Sequence, residues 1–302
     1  MEKRALLPQH SRYDYVPLPE RRDYSWPGGK RLAFVITSNV EWFAFGAGLG
    51  HDPAKTGEPQ THRNYSWRDY GNRIGVWRLL ELFDELELPA AHNTNSLVYE
   101  YAPQIMAAIR KRGDEVVAHG RTNAENLRGL WQPDEERILR EVTETIARHE
   151  GAPPAGWMGS GAYETAHTPD LLKELGYKYL MDWPMDDQPV WLRTRAGPIL
   201  AMPYPIELND SQAVVHRKQD AAGFCDMVVD QFDEMLEQCE RHPLVMNVSV
   251  HTYIFGQPFR LRRLRAALRH CRERAAERVW FTLPRDIAQF CARQEPGIIP
   301  GS

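Results

Sequence analysis

No uninterrupted apolar stretch in the 302 residues approaches the roughly 18 that would span a bilayer. Positive charge is not in excess either. With 37 Lys and Arg against 41 Asp and Glu the formal net charge is -4, and nucleic-acid binding has no electrostatic footing without clustered basic residues. Cysteine is scarce, with only Cys225, Cys239, Cys271 and Cys291, all in the last third and none in a C-x-x-C pair. Each falls within or beside a helical pattern, which suits free thiols buried in a reducing compartment better than a disulfide frame. The opening MEKRALLPQHSRYDYVPLPERRDYSWPGGKR is polar and proline-rich, without the apolar core of a signal peptide, so the expected location is cytoplasmic. No P-loop, no G-x-G-x-x-G after a strand and no G-x-S-x-G occurs. Nucleotide binding and serine-hydrolase chemistry are therefore unsupported.

What is present, 42% hydrophobic and 26% charged residues, is the composition of a globular chain. Residues 1–30 read as an extended arm ended by the turn WPGGK, and residues 31–302 as one domain. RLAFVITSNV reads as a buried strand. Residues 43–68 are glycine-rich, polar and aromatic without periodicity, which predicts a long loop, and such loops tend to be functional. YGNRIGVWRLLELFDELEL carries apolar residues at helical spacing. Strand-like segments follow in PAAHNTNSL, EVVAHG, AGWMGS, YKYLMDW, ILAMPYPI, LVMNVSVH and RVWFTLP. Helices are predicted in APQIMAAIRKRGDE, PDEERILREVTETIARHEG, TPDLLKELG, AAGFCDMVVDQFDEMLEQCER, PFRLRRLRAALRHCRERAA and RDIAQFCAR. Strand and helix alternate about seven times, which argues for an α/β fold with parallel strands in a closed or nearly closed (β/α) barrel.

Several strands end in polar residues: Asn39 and Glu41, Asn93 and Asn95, His119, Asp182, Glu207 and Asn209, and His251. In a barrel of parallel strands the carboxyl ends are where chemistry is assembled. His119 and His251 each follow an apolar run, and a histidine there can move a proton near neutrality. Four residues after His119 stands Asn123, a neutral amide and a poor partner for a divalent ion. DWPMDDQPVW groups Asp182, Asp186 and Asp187 beside Trp183, and crowded acids can raise one another's pKa. The last two acids suit a turn, and Asp182 suits the site. In PYPIELND, Glu207, Asn209 and Asp210 can accept amide N–H groups or shape a turn.

Together, YGNRIGVWRLLELF, VVAHGRTN, DWPMDDQPVW, PYPIELND, SVHTYIFGQPFR and RVWFTLPRDIAQF resemble the polysaccharide deacetylase (NodB-homology) superfamily, within it the allantoinase-like branch that includes cyclic imide hydrolases. The resemblance covers about residues 24–292 and implies a distorted (β/α) barrel with its site at the strand ends. It also exposes departures. The family's acidic pair after the first strand corresponds to TSNVEW, so Asn39 and Val40 take those places and only Glu41 stays nearby. The family's H-x-x-x-H metal pair is HGRTN, which keeps His119 and puts Asn123 in place of its partner. His251 stands where the family has its last catalytic histidine.

The resemblance and the polar strand ends together lead to an expected hydrolysis of a non-peptide C–N bond in a small amide, cyclic ureide or imide. Glu41 or His119 would activate water and His251 would protonate the leaving nitrogen, with Asp182 as a fourth catalytic group. Asn39, Asn123, Glu207 and Asn209 would orient the substrate and Trp183 would form an apolar wall. The expected cofactor is none or one divalent metal ion, with His119 the one residue matching the family's ligands. A small-molecule substrate and a homo-oligomer are the expected partners, with no nucleic acid and no membrane. The competing readings are a carbohydrate N-deacetylase with an unusual metal set such as His119 and Glu41, and a catalytically degenerate binding protein.

Overall fold

The computed structural model describes residues 9–47 and 59–302. Its sheet is built from strands β1 (Leu32–Val40), β2 (Ala90–Thr94), β3 (Glu115–Ala118), β4 (Gly156–Trp157), β5 (Tyr179–Leu180), β6 (Val190–Leu192), β7 (Ile199–Ala201), β8 (Leu244–His251) and β9 (Val279–Phe281). The order is β6-β7-β5-β4-β3-β2-β1-β8. All neighbours are parallel except β6 and β7, which form an antiparallel hairpin. Without β6, that path runs through seven parallel strands, in keeping with the expected barrel. One edge of β1 pairs β8 along residues 32–39, and its other edge pairs β9 at residues 32–34 and β2 at residues 36–40. The nine residues of β1 are all buried, as befits a central strand covered on both faces.

The curl is not closed by a regular ladder. Between β7 and β8 irregular chain fills the gap, with the Val245 N–H donating to Asp187 O at 2.8 Å and the Ser249 N–H to Leu208 O at 3.2 Å. Pro203 and Pro205 explain why the expected strand ILAMPYPI stops at Ala201, since neither can donate to a ladder.

Helices cover the outer face. Five of them, starting at Pro103, Gln132, Thr168, Pro258 and Pro284, carry proline in the first turn, where a missing N–H costs nothing. Inside the barrel the side chains change character along each strand. Ala33, Val35, Ala91, Val117, Tyr179, Leu200 and Val245 form an apolar floor with Tyr24, Trp26 and Ile287. Trp26 closes it, its indole N–H donating to Leu244 O at 3.1 Å. Farther along the same inward faces come Thr37, Asn39 and Glu41 from the β1 chain and Asn247, Ser249 and His251 from β8.

Three local expectations need correction. Residues 43–68 are not one loop: His62–Tyr70 is a helix, opened by a reciprocal cap between Thr61 and Asn64, and residues 48–58 of that stretch lie outside the described residues. This helix is too polar to show a hydrophobic period. The first part of YGNRIGVWRLLELF is a π-turn, Gly71–Gly75, which precedes the α-helix Val76–Glu85. The hairpin strand Val190–Leu192 was not among the strand-like segments, being only three residues long.

From residue 9 onward the arm lies along its own chain. Arg12 makes a bidentate pair with Asp170 at 2.8 Å, and Arg21 reaches Asp186 and Gln188. The four cysteines are buried and free. No helix among the described residues is long and apolar enough to cross a membrane.

Candidate active site

The register of β1 against β8 sets the site. Side chains two residues apart share a face, and three successive pairs meet across these strands. Thr37 Oγ1 donates to Asn247 Oδ1 at 2.9 Å, and Asn39 Nδ2 donates to Ser249 Oγ at 3.0 Å. One step farther, Glu41 Oε1 lies 3.4 Å from His251 Nε2. The middle layer widens into a network: Asn93 Nδ2 donates to Asn39 Oδ1 at 2.9 Å, and the Tyr204 hydroxyl meets Ser249 Oγ at 2.7 Å. This buried polar layer is bonded across β1, β2 and β8, with Asn93 Oδ1 left without a donor among the described residues, and holds the ends of the three strands in fixed relation.

Above it Glu41, 4% exposed, sits between two histidines, its Oε1 3.6 Å from His119 Nε2 as well. Burial alone would raise its pKa, but the charge of the nearby His251 overrules burial and holds the carboxylate well below its usual range. His251 is oriented from behind. Asp210, fully buried, accepts from the His251 backbone N–H at 2.8 Å and from Nδ1 at 2.6 Å. Burial lowers the His251 pKa, yet the carboxylates of Glu41 and Asp210 outweigh it and raise the imidazole to about 10. The two carboxylates thus favour the charged imidazole, whose Nε2 lies 3.4 Å from Glu41 Oε1. Burial pushes Asp210 above the ordinary carboxylate value, and the His251 charge pulls it only partly back.

His119 is fixed differently. Its Nδ1 lies 2.5 Å from Met158 O, and a carbonyl can only accept, so in the neutral ring the proton is on Nδ1 and Nε2 carries a lone pair. Its carbonyl is gripped by Asn95 Nδ2 and by Ser160 Oγ. Two acceptors, Nε2 and Glu41 Oε1, thus face each other at 3.6 Å, a spacing that a bridging water satisfies.

These groups open into a cavity of about 460 Å³, within the size range of small-ligand pockets. Phe43, Trp67, Tyr204 and Tyr253 are among its aromatic walls, and Asn39, Asn123 and Asn209 are among its polar ones. Among the described residues, Glu41 Oε2 and Asn123 Oδ1 are buried acceptors without a hydrogen-bond partner.

Sequence-derived candidates divide accordingly. Glu41, His119 and His251 come together at the cavity, with Asn39, Asn123 and Asn209 in its lining, although the Asn39 amide is already committed to Ser249, Val250 O and Asn93. Glu207 is exposed and lines a separate cavity of about 540 Å³ at the β7–β8 seam. Trp183 also stands outside the site, its indole donating to Glu164 Oε2 at 2.8 Å and its ring packed edge-on against Tyr13 of the arm. In irregular chain such as DWPMDD and PYPIELND no period fixes which side chain faces inward. Asp182 lies behind the end of β4, where its Oδ1 accepts from the Gly159 N–H at 2.8 Å. Burial raises both Asp182 and its neighbour Glu164, whose ionisation the nearby Asp182 charge further opposes. The functional neighbour that sequence reasoning underweighted is Asp210. Its signal was its place in PYPIELND, next to Asn209.

The divalent ion implied by the resemblance finds no fitting donors. Among the described residues no group of three or more His, Cys, Asp or Glu side chains is disposed to hold a metal. Asn123 offers a neutral amide four residues after His119, and Glu41 is already engaged by a protonated His251.

No protein-family model matches the chain. A Schizosaccharomyces pombe protein named for the polysaccharide deacetylases is 27% identical over 292 residues, covering 89% of this chain and 88% of its own. Among solved structures, Puue allantoinase superposes with a TM-score of 0.81 at 24% identity, covering 90% of this chain and 93% of its own. A Pseudomonas aeruginosa structure, also named for the polysaccharide deacetylases, gives 0.80 at 24% identity, covering 90% and 94%. With its curled, parallel-dominated sheet and these neighbours, the chain has the fold of the polysaccharide deacetylase (NodB/CE4) family.

Proposed function

We propose that the protein hydrolyses a non-peptide C–N bond in a small amide, cyclic ureide or imide, using its own side chains. The observation that carries this reading is the chain Asp210–His251–Glu41–His119 at the bottom of the cavity. A water between His119 Nε2 and Glu41 Oε1 would give a proton to the imidazole as it attacks the carbonyl carbon. Glu41 aligns that water, and its low pKa makes it a holder of protons in hydrogen bonds rather than their final acceptor. As the tetrahedral intermediate collapses, the C–N bond breaks and His251 Nε2–H delivers a proton to the leaving nitrogen. Asp210 keeps that imidazole charged and aimed.

The unpartnered acceptors, Glu41 Oε2 and Asn123 Oδ1, favour a substrate that brings N–H donors, as ureides and imides do. The aromatic walls and the volume of about 460 Å³ suit a small ring. The name of the Puue allantoinase structure is consistent with this class. A second reading, N-deacetylation of a carbohydrate, is favoured by the name of the S. pombe relative.

Parallel assays separate the two. Ring opening is followed on a panel of cyclic ureides and imides, and acetate release on N-acetylated sugars. Turnover of the first set alone supports the proposal; acetate release alone replaces it with the second reading.

A further inference from the structure

The segment YGNRIG is not among the residues lining the cavity, yet it bonds to the backbone of Glu41 and packs on the chain directly after His251. It forms a π-turn, Gly71–Gly75, closed by the Val76 N–H to Gly71 O. π-Turns inside helices occur mostly where a side chain must be re-aimed, often at functional sites. Here the re-aimed residue is Asn72. Its Nδ2 donates to the backbone carbonyl of Glu41 at 2.8 Å. Asn72 is 8% exposed, and its Oδ1 is buried with no donor among the described residues. Burying that acceptor costs stability that an apolar residue would not lose, so space filling alone does not explain an asparagine at this position.

The other side of the same turn packs on Thr252–Phe255, the helix that begins directly after His251. The approach is backbone to backbone. A Cβ on Gly71 would come within 2.7 Å of the Tyr253 nitrogen, a Cβ on Gly75 would overlap the Thr252 carbonyl, and one on Gly256 would overlap Gly75. Arg78 Nη1 ties the crossing further, donating to Gly256 O at 3.1 Å. One rigid element thus holds the chain at Glu41 and the chain at His251.

We infer that the π-turn Gly71–Gly75 is a clamp that sets the separation of Glu41 and His251, with Asn72 as its positioning residue. Its effect on rate rests on the proposed hydrolysis, but its effect on the ion pair does not. The groups facing His251 are Glu41, Asp210 and the Tyr253 ring, whose centroid is 5.5 Å away. Arg68 lies beyond Tyr253, and Arg260 beyond Asp210.

The test is an NMR titration of His251 in the full chain, with His251→Ala for assignment. Wild type is expected to titrate far above an ordinary histidine. Asn72→Ala, which removes the donor, is expected to lower the midpoint by about one pH unit or more, which is the tenfold change in proton affinity that a weakened ion pair gives. Asn72→Ser, which keeps a shorter donor, should fall between. Gly256→Ala forces the crossing apart without touching Asn72 and should lower the midpoint too; it decides the matter alone if Asn72→Ala does not fold. A wild-type midpoint near that of a free imidazole overturns the inference, and so does an unchanged midpoint in folded Asn72→Ala or in Gly256→Ala. Failure of wild type to turn over any ureide or imide would sink the proposed reaction while leaving this titration readable.

Discussion

Asp210 shows how a single side chain can decide what a neighbour does. It accepts twice from His251 and keeps the imidazole charged in a place where burial alone would discharge it. In the proposed reaction His251 must carry its proton, so kcat/KM should fall as pH rises through about 10. Asp210→Asn removes one of the two carboxylates that raise His251, and the alkaline limb of the kcat/KM profile should move to lower pH. A limb that stays in place would mean that another group sets it. His119 acts without a partner carboxylate behind it, since Met158 O holds its Nδ1. His119→Ala should cut kcat by about 10² to 10⁴, the usual loss of a positioned base, with little change in KM. At this scale the sequence was legible where strands end: Glu41, His119 and His251 follow β1, β3 and β8 directly or are their last residue. Trp183 and Glu207 lie outside the cavity lining because the irregular chain after β5 and β7 has no period and can turn a side chain to either face.

Elements were legible to the extent that they show a period. The helix Gln132–Glu150 announces itself with Pro133, acidic residues in its first turn and Gly151 after its end. The helix His62–Tyr70 does not, because only Asn64 and Arg68 of its nine residues are buried and neither is apolar. The arm is a further case. It reads as extended chain, and nothing in PLPERRDYSWPGG tells what it lies against. The structure supplies the partners: Arg12 on Asp170, Arg193 on Asp14, and Arg21 on Asp186. The Arg12 and Arg21 pairs are both bidentate and largely shielded, with side-chain exposures of 15% and 9% for Arg12–Asp170 and 11% and 16% for Arg21–Asp186, and Arg12 is the one nearer the start of the described arm. Arg12→Ala should therefore release the arm at a cost of about 1 kcal/mol after allowance for solvent screening. Limited proteolysis is the direct readout: cleavage within residues 9–20 should appear sooner than in wild type, while the barrel fragment persists. Equal cleavage rates would show that the arm is held by its other contacts.

Across the whole molecule the barrel is apolar at one end and charged at the other, and its pH behaviour follows from the acids placed inside it. Glu115 opens β3 at the apolar end, 2% exposed, accepting from the Tyr179 hydroxyl and the Arg285 N–H at 2.8 Å each. Burial raises its pKa from an ordinary 4.5 to about 7, despite those two donors. A raised acid is disfavoured when ionised in the fold. Its contribution is fully present below pH 4.5, declines as pH climbs to about 7 and is level above. The difference corresponds to about 3 kcal/mol. Urea denaturation at pH 5 and pH 8 should show wild type losing more stability than Glu115→Gln across that interval. Parallel losses in both proteins would mean that Glu115 is ionised in the fold at little cost. The parallel barrel itself was legible from seven alternations of strand and helix, whereas its open seam was not, because the chain between β7 and β8 closes it by single hydrogen bonds that leave no periodic trace.

The most direct test of the reaction is hydrolysis of cyclic ureides and imides by exhaustively chelated protein, with His251→Ala measured beside it. The arrangement of His119, Glu41 and His251 predicts that wild-type turnover survives chelation and that the variant loses about 10²-fold or more in kcat. Turnover that vanishes on chelation and returns only with added divalent ion, or a variant as fast as wild type, would contradict it.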